Sequence, residues 1–292
     1  MDHEAQFYIY HKSIEDSIRQ YLPPAKTRPS RLHSAMLYSL QAGGKRLRPM
    51  LVLAAQQLFE PVAAALPAAV AIECLHGYTL IHDDLPCMDD SELRRGKPAC
   101  HMKYDEATAV LAGDALLTHA FHLLGTEYLE VPELAARLVS ILGKAAGSRQ
   151  LIGGQMEDIA NEGLHPDPET LDYIHRNKTA ALLTAALHMG AVLGNAEDDQ
   201  IQRIMKLGEC VGLAFQIVDD LLDQSGKKAD IGKPVRADSK NAKTTYLCLH
   251  TTEEARKQIT TLTRKACDLC ESLSRGDSFL AWLCNRLANR GS

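Results

Sequence analysis

The chain has 292 residues, 46% of them hydrophobic, with 32 basic and 37 acidic side chains and a formal net charge of −5. That apolar content is enough for a large buried core, and the slight acidic excess argues against a nucleic-acid partner, which would draw on a basic face. It leaves an anionic small-molecule substrate open, because local patches rather than the sum govern such binding.

Asp2 and Glu4 stand where a secretory leader would place Lys or Arg, and they disfavour an acid-poor transit peptide as well. No run of about 18 uncharged apolar residues points to a membrane span, so a cytoplasmic protein is expected. The stretches 31–59, 66–85, 104–128, 132–160 and 168–194 read as helices. The segment 198–224 is the clearest: Ile201, Ile204, Gly208, Val211, Phe215, Val218 and Leu222 recur at alternating steps of three and four, which draws one apolar stripe along an amphipathic helix. Turn signals fall at Pro23-Pro24, Gly43-Gly44, Pro61, Pro86, Gly96–Pro98, 163–168 and 226–234. None has the length of a domain linker, and no alternating strand pattern or internal repeat stands out. A single all-α domain over 1–292, a helical bundle, is expected. The eight Cys are read as scattered reduced thiols without a zinc or redox role. Cys74, Cys210 and Cys248 lie in apolar segments and read as small core residues.

The polar motifs interrupt this pattern. Gly43-Gly44-Lys45-Arg46-Leu47-Arg48 sets three cations behind a Gly pair, which permits close backbone approach. His76, Thr79 and Asp83 share a helix face at steps of three and four. Taken alone, His76 reads as a structural residue. The string 81–90 places Asp83, Asp84, Asp89 and Asp90 at the end of an apolar helix, and Arg94-Arg95-Gly96-Lys97 follows directly. Later, Asp219 and Asp223 lie one turn apart beside Asp220, with Gly212 and Gln216 on nearly the same face.

Carboxylates stacked at helical spacing repel one another, and the helix macrodipole disfavours them at a C-terminal end. Solvated helix caps would explain one such cluster. Two clusters, each locally unfavourable, point to cations that neutralise them. Mg²⁺ suits this, since it takes one or two carboxylates together with phosphates and waters. Several ions around one diphosphate are expected, with Mn²⁺ as the alternative ion. Arg and Lys would bind phosphate beside them. Asp83 and Asp89 are off-phase for a regular helix; Pro86 should break it and bring Asp89 back toward Asp83.

These motifs together resemble the trans-isoprenyl diphosphate synthases, on the side of the bacterial farnesyl diphosphate synthases. The resemblance rests on GGKRLRP at 43–49, TLIHDDLPCMDDSELRRGKP at 79–98, ATAVLAGDALL at 107–117, GGQMED at 153–158, HRNKTA at 175–180, FQIVDDLLD at 215–223 and IGK at 231–233. It implies the isoprenoid synthase helical bundle, as a homodimer, acting on isopentenyl diphosphate and an allylic diphosphate. By resemblance Asp83, Asp84, Asp89, Asp219, Asp220 and Asp223 would hold magnesium. Gly44, Lys45, Arg48, His76 and Arg95 would hold isopentenyl diphosphate, and Arg94, Lys178, Thr179, Gln216 and Lys233 the allylic diphosphate. Arg94 and Lys178 would also act in catalysis. Tyr78 and Thr79 would set product length, favouring the fifteen-carbon product over a geranylgeranyl one. Two departures are small: Thr79 replaces the common Ser, and Leu247 follows Thr245-Tyr246 where Pro is usual. A non-catalytic partner subunit would have lost one Asp motif, and a terpene cyclase would not need the Lys45–Arg48 cluster.

Overall fold

The computed structural model describes residues 2–164, 166–225, 245–273 and 278–288. Lys233 and the turn signal at 226–234 lie outside them. The described residues are almost wholly helical, and they divide into two compact units: Met1–Leu53 with Ala63–Val139, and Ala54–Val62 with Ser140–Ser292.

The first unit holds α1 (His3–Tyr21), α2 (Ser30–Leu40), the start of α3 (Leu47–Gln56), α4 (Leu66–Asp83), a hairpin β1 (Leu93–Arg94) and β2 (Lys97–Pro98), α5 (Cys100–Lys103) and α6 (Glu106–Glu127). Helix α4 is apolar on nearly every side, with Val70, Ala71, Ile72, Cys74 and Leu75 all fully buried, so it runs through the core of this unit. Its partner α6 lies close against it, since a Cβ on Gly113 would strike the His82 ring, and α2 approaches as closely, since one on Gly77 would strike Leu40 at 2.6 Å. Asp105 caps α6 by accepting from the Thr108 N–H at 2.7 Å, and Arg31 bonds both Thr108 and Asp105. By length and hydropathy α6 could cross a bilayer, although the sequence suggested no such helix. Its Ala109, Ala112, Leu116, Ala120 and Leu124 are buried in this unit, which accounts for the apolar composition without a bilayer.

In the second unit are α8 (Leu151–Ala160), α9 (Pro168–Ile174), a π-helical turn (His175–Ala180), α10 (Ala181–Leu193), α11 (Asp198–Ser225), a 3₁₀ turn (Tyr246–Cys248), α12 (Thr252–Leu273) and α13 (Phe279–Ala288). Helix α7 (Pro132–Ala146) begins in one unit and ends in the other. The stripe read along α11 is buried at Ile201, Ile204, Val211, Val218 and Leu222. Gly208 and Gly212, four residues apart, press against Thr184 and Ala180. Thr251 and Glu254 form a capping box at the start of α12, each side chain taking the other's backbone N–H, at 2.8 and 3.2 Å.

Several expectations are corrected. The stretch 31–59 is two helices, because Gly43 and Gly44 adopt φ of +99° and +130°, where only glycine sits without strain. The stretch 132–160 also breaks, between Ala146 and Leu151. Helix α1 went unread, since only Ser17 and two apolar residues, Ile14 and Ile18, are buried on it. Cys248 is exposed, whereas Cys74 and Cys210 are buried as read. The cysteines are also less scattered than expected: Cys267 and Cys270 form a Cys-x-x-Cys pair on α12.

Candidate active site

In the first unit, α4 delivers the first Asp cluster. The helix stops at Asp83, and the chain folds back around Pro86: the Asp89 N–H donates to the Asp83 carbonyl at 2.8 Å, and the Ser91 N–H to the Asp84 carbonyl at 3.1 Å. The break therefore returns Asp89 to Asp83, as Pro86 suggested. Asp83 and Asp89 keep part of their surface open, whereas Asp84 is buried at 2% exposure. Arg94 grips Asp84, with Nε 2.9 and 3.0 Å from its two oxygens and Nη2 bonded as well. This is a bidentate, charge-assisted contact.

The hairpin supplies both arginines. Its turn is Arg95-Gly96, with φ of +53° and +75°, the geometry of a tight two-residue hairpin. Arg95 then bonds the Gly43 carbonyl and lies over Gly44, where a Cβ would meet the guanidinium carbon at 2.6 Å. Glycine at 44 is thus required by φ and by this close approach. Arg48 Nη1 donates to His76 Nε2 at 3.2 Å, so that ring nitrogen carries no proton. Burial, then the surrounding Arg48, Arg95, Arg94 and Arg46, push His76 well below the usual histidine range and keep it neutral. Lys45 is exposed at the head of the same loop. A narrow cleft is lined by His76, Asp84, Arg94 and Arg95.

Tyr78 is buried on α4, with its ring edge-to-face on His82 at 5.6 Å. Its hydroxyl has no hydrogen-bond partner among the described residues, and burial, aided by Asp83, pushes its pKa up to about 12. Thr79 turns its hydroxyl onto the His76 carbonyl at 2.8 Å.

In the second unit the π-helical turn is the organising element. Its extra residue per turn is a common device at functional sites. It places Thr179 to donate to Gln216 Oε1 at 2.6 Å; Gln216 Nε2 in turn donates to Asp220 Oδ1 at 2.8 Å. The Tyr246 N–H bonds the other Asp220 oxygen at 2.7 Å, and His175 Nε2 lies 3.7 Å from it. Burial lowers His175 to about 4, so it is neutral near pH 7. Asp220 is therefore a buried hub, while Asp219 remains half-exposed and Asp223 is largely buried. Lys178 is ion-paired with the buried Asp158. Gly154 allows this, since a Cβ there would meet Lys178 Cα at 2.9 Å.

Each unit thus gathers its own set. The first joins Arg94 to Asp84, Arg48 to His76, and Arg95 to the Gly43-Gly44 loop. The second joins Thr179, Gln216 and Asp220 in one row, with Lys178 on Asp158. The supporting residues Asp158, His175 and Glu73 carried no role in the sequence reading, and Arg46, read there as one of three cations for a diphosphate, is instead buried and paired with Glu15 and Glu73. The clues were present: Asp158 and His175 lie within GGQMED and HRNKTA, and Glu73 is an acid inside an apolar helix.

Among the described residues no group of three His, Cys, Asp or Glu side chains could hold a metal ion unaided. Magnesium fits this arrangement, because it seeks one or two carboxylates and completes its shell with phosphate and water oxygens. The exposed faces of Asp83, Asp89 and Asp219 offer oxygen donors only.

A family model described as polyprenyl synthetase matches residues 29–272. The farnesyl diphosphate synthase of Geobacillus stearothermophilus is 41% identical over 283 residues, covering 96% of this chain and 95% of that one. The large subunit 1 of the heterodimeric chloroplastic geranylgeranyl pyrophosphate synthase of Arabidopsis thaliana is 46% identical, covering 82% and 67%. A geranyltransferase of Helicobacter pylori, solved with magnesium and isoprenyl diphosphate, superposes with a TM-score of 0.82 at 34% identity, covering 97% and 96%. This chain belongs to the polyprenyl synthetase family.

Proposed function

We propose that the chain is a magnesium-dependent prenyltransferase that condenses isopentenyl diphosphate with dimethylallyl or geranyl diphosphate to give farnesyl diphosphate. One observation carries this reading: each Asp-rich helix end comes with its own cation, Arg94 on Asp84 and Lys178, on Asp158, beside the Thr179–Gln216–Asp220 row. Lys45, Arg48 and Arg95 hold the diphosphate of isopentenyl diphosphate, and His76 orients Arg48. Because His76 is neutral, it adds no positive charge and accepts from Arg48 throughout. Arg94, Lys178, Thr179, Gln216 and Lys233 bind the allylic diphosphate, and Asp83, Asp84, Asp89, Asp219, Asp220 and Asp223 serve the metal, Asp84 and Asp220 through the partners they hold.

Bound magnesium supplies positive charge to the departing diphosphate. Arg94 and Lys178 donate to the same oxygens as charge develops on them. The allylic C1–O bond breaks, the double bond of isopentenyl diphosphate attacks C1, and a proton is lost to restore an alkene. The released diphosphate takes that proton, so no side-chain base is needed. The Helicobacter pylori structure, with its magnesium and isoprenyl diphosphate, supports this choice of ion and substrate.

The chain is further proposed to act in the cytoplasm as a homodimer. The exposed Val110 and Leu111 on α6 suit burial against a second copy. The full-length relationship to the Geobacillus synthase favours the fifteen-carbon product; the 46% identity to the Arabidopsis subunit supports a geranylgeranyl synthase as the second reading. Chromatography of the products formed by the purified chain from dimethylallyl, geranyl and farnesyl diphosphates decides between them. Farnesyl diphosphate as the end product is the expected result, and a twenty-carbon end product overturns it.

Tyr78 is proposed as the floor for the growing chain, being buried five residues before Asp83 on α4. Tyr78→Ala removes the ring and should shift the principal product by at least one five-carbon unit. Unchanged fifteen-carbon output from a folded Tyr78→Ala protein removes Tyr78 from that role.

A further inference from the structure

Helix α1 precedes the segment that matches the family, which begins at residue 29. Two of its side chains nevertheless reach the Gly43–Arg48 loop. His11 Nε2 donates to the Gly44 carbonyl at 3.1 Å. Glu15, one helical turn on, accepts from Arg46 Nε at 2.6 Å. Arg46 is the centre of this arrangement. Its side chain is fully buried, its φ is +49°, and its remaining donors go to Glu73 at 2.7 Å and to the Leu40 carbonyl. A non-glycine residue at positive φ is held there by its surroundings. Here the surroundings are one carboxylate from α1, one from α4, and the carbonyl end of α2. Lys45 directly precedes Arg46 and Arg48 follows two residues on, so a fixed Arg46 constrains the backbone that carries both cations. Glu73 also lies three residues before His76, which receives Arg48.

We infer that α1 positions the isopentenyl diphosphate loop, with His11 and Glu15 as positioning residues that set Lys45 and Arg48 through the Gly44 carbonyl and Arg46. The inference rests on the assignment of Lys45 and Arg48 to isopentenyl diphosphate. Charge-assisted hydrogen bonds from fixed groups are strong enough to decide between loop conformers. Glu15→Gln keeps the size of the side chain and an oxygen for Arg46 but removes the charge. His11→Ala removes the bond to Gly44 from a partly exposed site, where folding should not suffer.

The test measures binding of isopentenyl diphosphate calorimetrically without magnesium, alongside KM for both substrates with magnesium. Affinity for isopentenyl diphosphate should fall about tenfold in Glu15→Gln and about threefold in His11→Ala, with matching rises in its KM. KM for geranyl diphosphate should stay within about twofold, and His11→Gln, which restores a donor, should recover affinity. Unchanged isopentenyl diphosphate affinity in folded variants overturns the inference, as does an equal rise of both KM values. Should Glu15→Gln not fold, His11→Ala and its Gln rescue decide alone. A wild-type chain that binds no isopentenyl diphosphate overturns the substrate assignment, and the inference with it.

Discussion

Asp83→Ala and Asp219→Ala should each lower turnover about a thousandfold, the scale of losing a principal electrostatic contributor to charge development, while circular dichroism and the melting temperature hold steady. Both aspartates keep open surface, unlike Asp84 and Asp220. Asp84 is already occupied by Arg94, and Asp220 by Gln216 and the Tyr246 N–H. On the proposed function the two pairs of carboxylates divide the work: Asp83 and Asp219 would serve the metal, and their buried neighbours would orient the groups around it. Removing Asp83 or Asp219 relieves like-charge repulsion on its helix, and neither lies in the buried core, so the fold should persist. Steady-state kinetics on folded variants checks this. Near wild-type turnover in either one contradicts the division.

Glu73→Ala should destabilise the protein by about 3 kcal/mol, because it strips one carboxylate from a guanidinium with no access to water. The side chain of Glu73 is 3% exposed and that of Arg46 is wholly buried. Glu15 remains as a partner, which keeps the loss at the lower end for a broken buried pair. In a chain of this size the melting temperature should drop by roughly 5 °C. Replacing both buried ends together, as Arg46→Met with Glu73→Leu, should recover part of that stability, since these apolar residues need no charge compensation, while Glu15 and the Leu40 carbonyl then lose Arg46. The double variant should stay impaired toward isopentenyl diphosphate, because the loop loses its clamp. Thermal unfolding of the single and double variants separates the two effects. A single variant as stable as the parent refutes the importance of this pair.

The helices that carry a long apolar stripe were legible from periodicity alone. Helix α11 shows it best, since its stripe recurs over seven positions and all but the half-buried Phe215 are buried. Helix α1 was not legible, because its buried face is narrow and apolar residues such as Tyr8 and Ile9 stand exposed off that face, which blurs the stripe. The break at Pro86 was legible because proline removes a helical hydrogen bond and restricts the residue before it. The π-helical turn was not, since HRNKTA has no local feature that distinguishes one extra residue per turn from an ordinary helix. Within the site, the cationic side chains proposed to bind phosphate were readable as clustered charges. Their supports were hidden for a different reason: Asp158, Glu73 and Glu15 act through contacts 20 to 31 residues away in sequence, which no local spacing reveals. The small hairpin at 93–98 escaped because its strands hold two residues each and rest on the turn at Arg95-Gly96.

The central claim is that carboxylates at the two Asp-rich helix ends work through a divalent ion to release the allylic diphosphate. Its most direct test is the initial rate of geranyl diphosphate consumption by the purified wild-type chain, with isopentenyl diphosphate present, as free magnesium is raised from none. The expected course is no turnover in chelator and a rise to saturation with added magnesium, accompanied by one diphosphate released per condensation. Full turnover in chelator would contradict it.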